Sequence, residues 1–72
     1  MQNDIKKILE QIFQEEINEE FSKNTTDKWD SFTHLDILVE LEKNFNISFT
    51  PQEMGAINSY KDIVDVVSKK IK

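Results

Sequence analysis

The chain has no cysteine, so no disulfide staples it and no thiolate metal site forms. A single histidine, His34, is too few for the common zinc patterns. Glycine and proline occur once each, at Gly55 and Pro51, which argues against turn-rich β structure and for helices. No apolar run approaches the roughly 20 residues of a membrane span. The longest is Ile37-Leu38-Val39. The first residues, Met1-Gln2-Asn3-Asp4-Ile5-Lys6, mix charge and have no apolar h-region. No signal peptide is expected, and a cytoplasmic protein is the default. Positive charge is also scarce, with 9 basic residues against 14 acidic ones and a net charge of -5. That balance argues against nucleic acid and against anionic membrane surfaces as partners. It suits partners with a basic patch, or serves solubility alone.

What is present fits one domain, residues 1–72, folding on apolar packing alone and therefore of modest stability. Ile5, Ile8, Leu9, Ile12 and Phe13 fall at i, i+3, i+4, i+7 and i+8, one face of an amphipathic helix. Asn3 or Asp4 is expected to cap it, and Ile17 to extend it. From Asn18 to Asp30 the periodicity fails among turn formers. Phe21 and Trp29 are expected to pin this long loop to the core, and a loop so long in a small domain points to function. A second helix is expected from about Ser31 to Phe45, with Asp30 as N-cap and Asn46 as stop. Thr50-Pro51-Gln52-Glu53 combines an N-cap, a first-turn proline and a capping-box partner, and Gly55 keeps the helix that follows short. A last helix begins near Ser59, with Asp62 in the capping-box place. It is expected to bury Tyr60, Ile63, Val64, Val67 and Ile71 and to place Lys69, Lys70 and Lys72 near its C-terminus. The fold class implied is all-α, a small four-helix bundle of three longer helices and one short one.

The second helix carries two apolar stripes. Ile37, Leu38, Leu41 and Phe45 suit the core, as do Ile63, Val64 and Val67 of the last helix. Phe32, Leu35 and Val39 form an offset stripe beside Thr33, Asp36, Glu40, Glu42 and Lys43. Either the helix is buried on two sides or the second stripe meets a partner, and periodicity leaves both open.

The segment from Trp29-Asp30-Ser31-Phe32 through Leu35-Asp36-Ile37-Leu38-Val39-Glu40-Leu41 to Phe45 resembles the attachment segment of acyl carrier proteins. That family carries Asp-Ser-Leu, alternating apolar and acidic residues, then a phenylalanine at the helix end. Phe45-Asn46-Ile47-Ser48-Phe49-Thr50-Pro51 resembles its Phe-Gly-Ile stretch and proline-containing cap. Ile57-Asn58-Ser59-Tyr60 resembles its entry into the final helix. The likeness covers essentially the whole chain, and the spacing from Ser31 to Phe45, Pro51 and Ser59 makes it specific. Departures are Lys28 where a glycine is usual, Trp29 before Asp30, Phe32 for leucine, and Lys43 for an acidic residue. The Trp-Asp-Ser form with His34 resembles stand-alone carriers of specialised pathways, such as modification of surface polymers or secondary metabolites.

The resemblance implies a non-catalytic carrier with 4′-phosphopantetheine attached covalently to Ser31. Its partners would be a phosphopantetheinyl transferase and acyl- or aminoacyl-loading and acyl-using enzymes, which it would meet as a monomer. Asp30 has a structural reading as a cap, and the resemblance adds a part in transferase binding. Phe32, Leu35, Asp36, Val39 and Glu42 match positions that meet partner enzymes. The helix N-terminus gives Ser31 a physical rationale, since first-turn amides and the dipole favour a phosphodiester. The competing reading is an unmodified acidic helical protein–protein interaction module using the same stripe. A hydrolase on Ser31, His34 and Asp36 fails because Asp36 points away from His34 along the helix and so small a bundle offers no water-excluding site. His34 is expected to be an ordinary surface or half-buried side chain. Asn24 to Asp36 lacks the glycine and ligand spacing of a calcium loop.

Overall fold

In the computed structural model, which describes residues 2–71, the chain forms α1 (Gln2–Phe13), α2 (Ser31–Phe45), α3 (Pro51–Ala56) and α4 (Tyr60–Lys70). Among the described residues there is no strand, only an isolated antiparallel bridge between Ser22 and Ser59. The all-α bundle of three longer helices and one short one is borne out. Lys72 lies outside the described residues.

α1 buries the face its spacing announces: Ile5, Ile8, Leu9 and Phe13 are core residues and Ile12 packs half-buried against them. The helix begins earlier than expected, so Asn3 and Asp4 lie inside its first turn and neither caps it. Asp4 there still faces the positive end of the helix dipole. It also stops sooner. Gln14 turns left-handed (φ 57) while its N–H still donates to Glu10 O at 2.8 Å. Ile17 is therefore not a helical extension, though it is fully buried under the loop.

The connection to α2 is long but tied down. Phe21 and Trp29 enter the core and meet Phe13, with ring centroids 4.8 Å (Phe13–Phe21), 5.6 Å (Phe13–Trp29) and 6.1 Å (Phe21–Trp29) apart. Aromatic pairs at such separations add to what their burial contributes. Phe21 O accepts from Tyr60 N–H at 2.8 Å, and Lys23 N–H donates to Asn58 O at 3.0 Å, so the loop is sewn to the head of α4. Lys28 Nζ donates to Phe13 O at 3.0 Å and pairs with Glu15 at 3.1 Å, capping the end of α1.

The caps expected of the other three helices form. Asp30 caps α2 by accepting from Thr33 N–H at 2.9 Å, and Asn46 ends it in the left-handed region (φ 55). Thr50 and Glu53 make the reciprocal capping box of α3, at 3.2 and 2.8 Å. Ser59 Oγ accepts from Asp62 N–H at 3.1 Å to start α4. The return bond from Asp62 goes to Asn58 N–H rather than to Ser59, so that box is shifted by one residue.

α1 packs on α2 and α4 around a core that includes Ile37, Leu38, Leu41, Ile57, Tyr60, Ile63 and Val67. Phe45 and Val64 pack against this core half-buried. Ile71 corrects an expectation: it lies past the end of α4 and is 45% exposed. α3 buries none of its residues fully. It is held by buried Phe49 and Ile57 on either side, and by an ion pair between Glu53 and Lys70 of α4 at 2.7 Å.

Candidate functional site

The site is built at the head of α2. Ser31 is the first helical residue, and its side chain is exposed. Asp30, also exposed, sits in extended backbone (φ -103, ψ -173) and turns its carboxylate back to the first-turn amides. The N–H of Thr33, then its hydroxyl, hold the Asp30 carboxyl below the usual carboxylate range.

From this head an apolar ridge runs down the outer face. Phe32 is 82% exposed, Leu35 58% and Val39 48%, while Ile37, Leu38 and Leu41 on the opposite face are buried. The question left open by periodicity is therefore settled: α2 buries one stripe and presents the other. Large apolar side chains lined up in water mark a contact surface more than scattered ones do. Asp36 and Lys43 are exposed beside the ridge. Glu42 is different. It is half-buried, and its Oε2 accepts from Phe49 N–H at 2.8 Å, so it also serves the turn into α3. Sequence spacing missed that structural duty because its partner lies beyond the helix end.

A cleft of about 350 Å³ opens beside Ser31, lined also by Lys23, Trp29, Asp30, His34 and Leu35. Lys23 is the cation the loop brings to this cleft, a neighbour that nothing local in the sequence announces. His34, expected to be an ordinary surface or half-buried side chain, is half-buried, and both its ring nitrogens are engaged. Trp29 Nε1–H donates to its Nδ1 at 3.0 Å, and its Nε2 lies 2.9 Å from Met54 O. Among the described residues no group of His, Asp and Glu is arranged to hold a metal ion. No helix among them is long and apolar enough to cross a membrane.

No family model and no curated protein matches the chain. Solved structures do. The solution structure of a holo acyl carrier protein from Geobacter metallireducens matches with a TM-score of 0.84 at 30% identity, over 97% of this chain and 84% of that one. The chain belongs to the acyl carrier protein family. A crystal structure of an acyl carrier protein from Thermotoga maritima shares the fold, with a TM-score of 0.76 at 22% identity over 96% of this chain and 84% of that one. In this acyl carrier protein Asp30 stands at the cap of α2 and Ser31 in its first turn. Its Phe32 and Trp29 departures fall on opposite sides of Ser31: Phe32 faces water and Trp29 faces the core.

Proposed function

We propose that the chain carries acyl or aminoacyl groups as thioesters on a 4′-phosphopantetheine arm attached through the Ser31 hydroxyl, and presents them to biosynthetic enzymes. It is then the substrate of a phosphopantetheinyl transferase and catalyses nothing itself. One observation carries this reading. In a chain of this family, the exposed serine stands at the first turn of α2, directly above an outward apolar ridge.

The residues present fit such an arm. Ser31 is reachable from solvent at a helix N-terminus, where the dipole favours a phosphodiester. Lys23 lines the cleft next to it and offsets added negative charge. The Asp30 carboxylate, which would repel that charge, is occupied by Thr33 N–H. When bound, the arm supplies the thiol that holds the acyl group. The chain's own part is presentation. Ser31 needs no base of its own, because the transferase provides one.

On this reading Phe32, Leu35 and Val39 make the apolar contacts with partner enzymes. Asp30 and Asp36 meet their basic patches, and Glu42 contributes charge from a side chain already fixed by Phe49. The protein acts as a monomer in the cytoplasm. Co-expression with a broad-specificity phosphopantetheinyl transferase, followed by intact mass measurement, tests the reading. The chain should gain the mass of one phosphopantetheine, and Ser31→Ala should gain none. An unmodified chain beside a control carrier that is modified would refute it and favour an unmodified docking module.

A further inference from the structure

His34 holds three parts of the molecule at once. Its backbone N–H donates to Asp30 O at 2.8 Å, the first hydrogen bond of α2. Its Nδ1 takes the indole N–H of Trp29 at 3.0 Å, and its Nε2 meets the backbone carbonyl of Met54 in α3 at 2.9 Å. An indole nitrogen only donates and a carbonyl only accepts, so the two partners dictate one state: neutral, with the proton on Nε2. Trp29 directly precedes Asp30 and Ser31 and is anchored between Phe13 and Phe21. α3 has no fully buried residue of its own, so a polar tie weighs heavily in its placement.

We propose that His34 is a positioning residue, a two-sided tie whose Nδ1 accepts from Trp29 and whose Nε2–H donates to Met54 O, and which registers the Trp29-Asp30-Ser31 segment against α3. The charged groups on the surrounding elements are few. Lys23 of the loop and Asp30 at the head of α2 line the same cleft as His34. Glu53 of α3 neighbours Met54 in the chain, and its carboxylate is paired with Lys70 of α4. The effect on Ser31 modification rests on the carrier reading above; the tie itself does not.

The chain has one tryptophan and one histidine, so both signals are unambiguous. In ¹⁵N-labelled apo protein at neutral pH, the His34 ring should be the Nε2–H tautomer, and the Trp29 indole N–H should show coupling through its hydrogen bond to Nδ1. His34→Asn keeps an acceptor where Nδ1 stands but cannot reach Met54 O, and His34→Ala removes both bonds, so the Ser31 amide should shift in both variants and further in His34→Ala. Loading by a phosphopantetheinyl transferase should be slowed roughly five- to tenfold in His34→Ala, since misplacing a reacting group is costly. His34→Asn, which keeps only the Trp29 side of the tie, should be slowed by less than His34→Ala. An indole N–H with no bond to the imidazole, or His34→Ala loading as fast as the native chain, overturns the proposal. If no variant and no native chain is loaded while a control carrier is, the carrier reading fails, and with it the effect on loading. The coupling across the indole–imidazole bond then decides the tie alone.

Discussion

Removing the whole phenyl ring of Phe32 should disturb the fold less than removing one methyl group from Ile37, five residues along the same helix. Phe32 is 82% exposed, so less than a fifth of its surface is withdrawn from water. Full burial of such a side chain contributes about 1.5–3 kcal/mol, so Phe32→Ala forfeits about 0.5 kcal/mol at most. Alanine's better helix propensity returns a similar amount, about 0.5 kcal/mol. The net change sits near zero. Ile37 is 0% exposed and packed on all sides. Ile37→Val costs about 0.5–1.5 kcal/mol by the usual core-truncation scale. In a domain this small, about 1 kcal/mol moves the melting midpoint by about 4–8 °C. Thermal and urea unfolding followed by far-UV circular dichroism resolves that difference. Leu41→Ala, also in the core, should cost about 2–5 kcal/mol, comparable with the whole stability a chain of this length commands. A midpoint lowered more by Phe32→Ala than by Ile37→Val would refute the assignment of the two faces, and the partner ridge with it.

Asp30→Asn keeps an oxygen for Thr33 N–H and should melt with the native chain, while Asp30→Ala removes the cap and should melt lower. If the transferase reads the charge as well, both variants should load slowly, which separates recognition from capping. The carboxyls of Asp30 and Glu53 are both held below the usual range, Asp30 chiefly by Thr33 N–H and Glu53 chiefly by the bond from Lys70. Depressed folded values mean that their contribution is present above the unfolded carboxylate value and is lost as pH falls through the folded ones. The melting midpoint should therefore hold from neutrality to about pH 5 and fall below about pH 4. Tyr60 has the opposite sign. Burial raises its phenol, so its contribution is complete below about pH 10 and is lost as pH rises further. A melting profile recorded from acid to alkali checks both limbs.

Much of the fold was legible in residues close together in the chain. Asp30 and Thr33, Thr50 and Glu53, and Ser59 and Asp62 are each three apart, so their caps follow from one turn of backbone and need no knowledge of the rest. The buried face of α1 follows from its spacing in the same way. Near the ends, reading by pattern slipped. Ile17 continues an apolar rhythm after the helix has stopped at a left-handed Gln14, and Ile71 lies beyond the last turn that the core can cover.

The sequence by itself determined the four helices, the N-caps of the last three and the placing of a serine at the head of the second. Tertiary structure alone decided which of the two apolar stripes of α2 faces water, because a helical wheel fixes the angle between stripes and not what lies against either. It also decided that Glu42 binds Phe49 N–H, that Lys23 lines the cleft beside Ser31, and that His34 joins Trp29 to Met54, 20 residues away. Those contacts depend on where the loop and α3 come to rest, and that is set by the shared burial of Phe13, Phe21, Trp29, Phe49 and Ile57 rather than by any local pattern.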